Sequence, residues 1–159
     1  MPTRPEVSES AEHDGHTDLM RAALEGQTET MEALLKTGAD VNASDNEGRT
    51  ALMFAAVNMH TDSVKALLEH GADVNATAND GGTVLMLAAS AGEIEIVRAL
   101  LSKGANVSGR FTQTGKTALM LAREKDYTDI AQLLQAAETE QASKARSAKA
   151  NDRKQPNRS

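Results

Sequence analysis

The chain has 159 residues, 40% of them hydrophobic but only 2% aromatic, with Phe54, Phe111 and Tyr127 as the whole aromatic set. Its length bounds the fold to one domain or one short repeat array, and the absence of cysteine excludes disulfides, thiolate nucleophiles and Cys-ligated metal centres. A formal net charge of -6 has the wrong overall sign for a dedicated nucleic-acid binder.

Residues 1–16 set Arg4 against Glu6, Glu9, Glu12 and Asp14, and their larger apolar side chains are Met1 and Val7. They bury too little surface to offset the entropy of ordering, so they are expected to form a disordered acidic N-terminal tail. The start has no apolar core of a secretory signal, and no stretch approaches the roughly 18–20 apolar residues of a membrane span. A cytoplasmic protein is the expectation.

From residue 17 the chain repeats itself. Gly38-Ala39-Asp40-Val41-Asn42-Ala43 recurs as Gly71-Ala72-Asp73-Val74-Asn75-Ala76 and, weakened, as Gly104-Ala105-Asn106-Val107-Ser108. A second marker runs in step: Thr50-Ala51-Leu52-Met53-Phe54-Ala55-Ala56, Thr83-Val84-Leu85-Met86-Leu87-Ala88-Ala89 and Thr117-Ala118-Leu119-Met120-Leu121-Ala122-Arg123. A degraded copy starts at Thr17-Asp18-Leu19-Met20. The spacings are 33, 33 and 34, with one extra residue in the 111–115 loop.

Each unit reads as two short helices. Thr17, Thr50, Thr83 and Thr117 stand where a hydroxyl caps a helix start, and Gly26 and Gly92 end the first helix in two copies. The second helix is predicted over residues 63–69, with Val64, Leu67 and Leu68 inward, and its counterpart carries Val97, Leu100 and Leu101. Residues 73–82, rich in Asn, Asp and Gly, suit a turn or hairpin.

These residues resemble the ankyrin repeat: a turn of the form Asp-x-x-Gly-x, here Asp45-Asn46-Glu47-Gly48-Arg49, then the Thr-Ala-Leu-Met marker, a Val-x-x-Leu-Leu helix and Gly-Ala-Asp-Val-Asn. Ala or Val replaces the family's Pro and Met its His. The resemblance implies an all-α solenoid of stacked helix-turn-helix units with short β-hairpin or turn connections. Residues 17–137 divide into an N-cap repeat (17–43), two internal repeats (44–76 and 77–110) and a C-cap repeat (111–137). Arg21 and Thr30 in the first copy, and Arg123, Ala131 and Gln135 in the last, replace apolar or Ala positions, as end copies with one neighbour require.

Residues 138–159 carry Lys144, Arg146, Lys149, Arg153, Lys154 and Arg158 against Glu138, Glu140 and Asp152. With no apolar side chain larger than Ala they are expected to be a basic, mostly disordered tail. The Ala-rich start could lengthen the last helix for a few turns when a partner is present.

Chemistry-bearing motifs dissolve into the repeat. Gly115-Lys116-Thr117 lacks the preceding glycine of a phosphate loop, since Arg110 stands there, and it aligns with Gly48-Arg49-Thr50. His60 and His70 read as structural, and His13 and His16 lie in the acidic tail without enough fixed ligands for a metal. Asp40, Asp45 and Asp73 recur as turn residues. No catalytic residues, cofactor or metal are expected, and the chain reads as a non-enzyme.

The resemblance implies a non-catalytic protein-protein interaction module, a scaffold, tether or regulatory subunit, holding a partner on its concave face. The tips then contribute Asn46, Glu47, Arg49, Asn79, Asp80, Gly82, Thr112, Gln113 and Lys116; the first helices contribute Val57, Asn58, Ser90, Glu124 and Lys125. Met53, Met86 and Met120, in register with Met20, fit either inter-repeat packing or an adaptable partner surface. Charge reversal at Arg49 or Lys116 is expected to weaken partner capture and leave the melt nearly unchanged. The alternative is an adaptor that meets nucleic acid or an anionic membrane surface through Lys144, Arg146, Lys149, Arg153, Lys154 and Arg158. Unbound, the chain is expected to be monomeric.

Overall fold

The structure, a computed structural model, describes residues 15–154. Expectations for residues 1–14 and 155–159, among them His13, Arg158 and the disorder of the acidic tail, lie outside the described residues. Among the described residues eight helices form four antiparallel pairs: α1 (Asp18–Glu25) with α2 (Thr28–Lys36), α3 (Ala51–Val57) with α4 (Thr61–Glu69), α5 (Val84–Ala91) with α6 (Ile94–Ser102), and α7 (Ala118–Glu124) with α8 (Thr128–Arg153). Helix α4 starts two residues before its predicted N-terminus.

The pairs stack in chain order. Helices α1, α3, α5 and α7 touch in one row and α2, α4, α6 and α8 in a second. Ala22, Ala23, Ala55, Ala56, Ala88, Ala89 and Ala122 are buried where the rows meet, with Leu52, Leu67, Leu85 and Leu100 between copies. Small side chains let the helices approach closely, which explains a core that has almost no aromatic rings.

The helix starts follow the Thr markers in three copies. Thr17, Thr83 and Thr117 accept from the backbone N–H groups of Met20, Met86 and Met120 at 3.2, 3.3 and 3.3 Å. Thr50 is the exception: its buried hydroxyl has no hydrogen-bond partner.

A left-handed residue closes each of the inner helices α1, α3, α5 and α7: Gly26 and Gly92 at the caps of α1 and α5, Met59 and Asp126 one residue past the caps of α3 and α7, with φ of 70°, 83°, 61° and 58°. The next residue then returns its N–H to the helix, as Gln27 does to the Ala22 carbonyl and Tyr127 to that of Ala122, both at 2.9 Å. Where this position is Gly, the following copy fills the space that a Cβ would take. The His60 ring lies 2.6 Å from the ideal Cβ site of Gly26, and the Tyr127 ring 2.7 Å from that of Gly92.

The connections are turns that carry only isolated antiparallel bridges, Ser44 with Thr50 and Thr77 with Thr83, and no strand occurs among the described residues. The tips close by Asp45 N–H to Arg49 O and Ala78 N–H to Gly82 O, both 2.9 Å, and by Phe111 N–H to Lys116 O at 3.1 Å. The last tip spans one residue more, so it absorbs the 34-residue spacing.

Two asparagines join the copies on the opposite edge. Asn42 donates to the Gly71 carbonyl (3.3 Å) and accepts from Asp73 N–H (2.7 Å). Asn75 does the same to Gly104 (3.4 Å) and Asn106 (2.8 Å). The Asn42-Ala43-Ser44 and Asn75-Ala76-Thr77 triplets are thus inter-copy joints.

Residues 138–153 continue α8 to Arg153. Gln141 lies on this stretch. Its amide donates to the Ala105 carbonyl at 2.8 Å and accepts from Val107 N–H at 3.2 Å, closing the turn that no following copy covers. Gly15, with φ 75°, stands 33 residues before the tip glycine Gly48, whose φ is 77°.

Candidate partner-binding surface

The tips are bound to one another before any partner arrives. Asn79 donates its backbone N–H to Glu47 O at 2.9 Å and its amide to Asn46 O at 3.1 Å. Thr112 donates from its N–H and its hydroxyl to the Asp80 carbonyl, at 2.8 and 3.0 Å. Gly81 has to be Gly, because its φ is 82° and an added Cβ would lie 2.5 Å from the Arg110 carbonyl. Asn46, Glu47, Asn79, Asp80, Thr112 and Gln113 keep exposed side chains, so the tip row is available to solvent and fixed in spacing.

One tip holds a charge cluster. Asp45, with its side chain fully buried, accepts backbone N–H bonds from Glu47 (3.0 Å) and Arg49 (2.8 Å). Arg49 Nε lies 2.8 Å from Asp45 Oδ2, and its Nη1 is 3.1 Å from Glu47. Burial pushes the Asp45 carboxyl up, but the hydrogen bonds from Arg49 and Glu47 and the Arg49 charge outweigh it and hold the group below its ordinary value of 3.8. Arg49 also lies over the Phe54 ring, 5.1 Å from its centroid. Arg49 thus also has a structural role, and Arg49→Glu would set a second carboxylate against buried Asp45.

Below the tips, the exposed face of the inner helices forms a row one turn beyond Arg21, Phe54, Leu87 and Leu121. It runs Leu24, Val57, Ser90, Glu124 across the stack. Leu24 and Val57 are 40% and 45% exposed, which is high for apolar side chains inside a repeat array. Asn58 donates its amide to the Phe54 carbonyl at 2.8 Å, and Lys125 caps α7. Lys116 reaches down from its tip to Glu124 at 2.8 Å, so these two charges neutralise each other at the C-terminal end. Leu24 was missed in the sequence, although it stands 33 residues before Val57.

The methionine register divides. Met20, Met53 and Met86 are 1–2% exposed and packed between copies, so Met53 and Met86 cannot meet a partner and leave the candidate surface. Met120 is 46% exposed because no copy follows it. Gly82 is also withdrawn: it is buried, with the Phe111 ring 2.9 Å from its ideal Cβ site.

Two of the histidines bond to backbone. His60 Nε2 lies 3.0 Å from the Leu24 carbonyl and His70 Nδ1 2.8 Å from that of Ala66. Among the described residues no group of three or more His, Asp or Glu is arranged to hold a metal, and no helix is long and apolar enough to cross a membrane.

None of the curated proteins compared matches the chain. The family model for ankyrin repeats, in three copies, matches residues 3–78 and 74–145, reaching past the repeat boundaries read from the markers at both ends. With two continuous helix rows, phase-locked tips and a match over most of its length, the chain belongs to the ankyrin repeat family.

Proposed function

We propose that the chain is a non-catalytic protein-interaction module whose inner face receives a segment of a partner protein, with Leu24 and Val57 as its apolar anchor. Ankyrin repeats are in general protein-protein interaction modules. The observation that carries the finer reading is the pairing of two exposed apolar side chains at one register of neighbouring copies, beneath a row of fixed polar tips. Burying what remains exposed of the two would supply roughly 1 kcal/mol each, while Asn46, Asn79, Asp80 and Thr112 provide orientation by hydrogen bonding. The groove grades from apolar at Leu24 and Val57 to charged at Glu124 and Lys125, so it suits a segment with an apolar end and a polar end. Tether, scaffold and regulatory subunit are all outputs of such a grip.

The test is photo-crosslinking from Asn58 in cells, followed by capture with the isolated protein. Leu24→Lys with Val57→Lys should weaken binding of the crosslinked partner at least about tenfold, and Glu69→Lys on the outer row should leave it intact. Equal binding by both variants would overturn the groove assignment.

A further inference from the structure

The exposed end of α8 carries an excess of positive charge, Lys144, Arg146, Lys149, Arg153 and Lys154 against Asp152. Beyond Gln141 the helix continues through Arg153 with every residue from Ala142 onward exposed. Lys144 pairs with Glu140 at 2.8 Å, but Arg146, Lys149 and Arg153 have no ion-pair partner among the described residues. At 100° per residue these three fall within an arc of about 60°, spread over about 10 Å of helix axis. They form a cationic stripe along the helix. The same helical face, followed back toward the body, holds Ala131, Gln135 and Thr139, which line an open groove of about 590 Å³ beside Tyr127.

Three anionic occupants are conceivable. A bilayer is disfavoured, since α8 beyond Ala137 offers no side chain larger than Ala to insert. Nucleic acid is disfavoured by a chain of net charge -6 and by the absence of aromatic residues near the stripe. An acidic protein segment fits, and the chain carries one: residues 1–14 hold Glu6, Glu9, Glu12 and Asp14 against Arg4.

That segment cannot serve its own stripe. It joins the first copy at Gly15, and α7 and α8 belong to the fourth, three helix-to-helix steps away, about 24–30 Å at 8–10 Å per step. Glu12 is three residues from Gly15 and reaches about 10 Å at full extension, and Glu9 about 20 Å. Glu6 alone approaches the required length. The acidic set can meet the stripe together only from another molecule. We propose that the acidic N-terminal segment of a second copy of this chain docks on the Arg146–Lys149–Arg153 face of α8, linking copies head to tail.

The contact is electrostatic and exposed, so it is weak and screened by salt. The experiment is sedimentation equilibrium of the full chain across a concentration series, at about 0.05 and about 0.5 M salt. Self-association is expected at low salt, with the association constant falling at least about tenfold at high salt. Reversing the segment (Glu6→Lys, Glu9→Lys, Glu12→Lys) or the stripe (Arg146→Glu, Lys149→Glu, Arg153→Glu) should each give a monomer with an unchanged helical spectrum. An equimolar mixture of the two variants should associate again, because each then offers the complement of the other. A monomeric wild-type chain at low salt overturns the proposal, as does association unaffected by either reversal or a mixture that stays monomeric. Salt-sensitive binding of duplex DNA lost on stripe reversal, with the mass unchanged throughout, would assign the stripe to nucleic acid instead.

Discussion

The imidazole of His16 stands 3.2 Å from the buried carboxylate of Asp45 and edge-on to Phe54, with ring centroids 5.0 Å apart. A residue placed by sequence in the acidic tail thus belongs to the tip of the first copy, in phase with Arg49. Asp45 collects the backbone of its own turn, the Arg49 guanidinium and the neighbouring copy at one oxygen pair.

Asp45→Asn should therefore destabilise the protein by about 2 kcal/mol at neutral pH, through loss of charge-assisted hydrogen bonds in a buried site. A carboxyl held below its unfolded value adds stability that is complete above that value and disappears as pH falls through the folded one. The gap between wild type and Asp45→Asn should narrow below about pH 3.8. Urea melts at pH 7 and pH 3 read this directly, and a gap that widens in acid would contradict the pairing.

The register of methionines allows a sharper comparison. Met53→Ala and Met86→Ala each remove a fully buried side chain and should cost about 2–5 kcal/mol. Met120→Ala, at the open end, should stay within about 0.5 kcal/mol. Denaturant midpoints of the three variants suffice, and equal losses would mean that the last copy is covered in solution.

Met59 occupies a left-handed position where two other copies have glycine. Met59→Gly should raise stability by about 0.5–1 kcal/mol, the relief of the Cβ clash exceeding the added entropy of the unfolded chain. Gly92→Ala should do the reverse with interest, since Tyr127 fills the space its Cβ needs. A Met59→Gly variant that melts earlier would show that the Met side chain holds this turn by packing.

Truncation separates two parts of α8. Ending the chain after Gln141 should leave the thermal melt unchanged, whereas Gln141→Ala should lower stability by about 1–2 kcal/mol by releasing two hydrogen bonds to the Ala105–Val107 turn. Equal melts for all three proteins would remove Gln141 from the cap.

The 33-residue phase made the helix pairs, the Thr starts and the Gly26 and Gly92 ends readable without coordinates, because each recurs with the same local physics. At Met53 and Met86 it left inter-repeat packing and partner contact both open. There the residue and the phase match Met120, and burial depends on whether another copy follows. Arg49 reads as a surface charge because Asp45, four residues away, looks like an ordinary turn residue; that Asp45 is buried, with His16 of the preceding copy 3.2 Å from it, shows only in the structure. Gln141 had no signal at all, since it does a ladder's work from outside the repeating pattern.

The two asparagine joints have a consequence for the length of the array. Asn42 grips the second unit as Asn75 grips the third, through the same pair of backbone groups. Excising residues 43–75 would leave Asn42 facing Gly104 and Asn106, the partners that Asn75 holds now. The molecule is modular: removing or adding a whole unit between these matching junctions gives each product a finished seam.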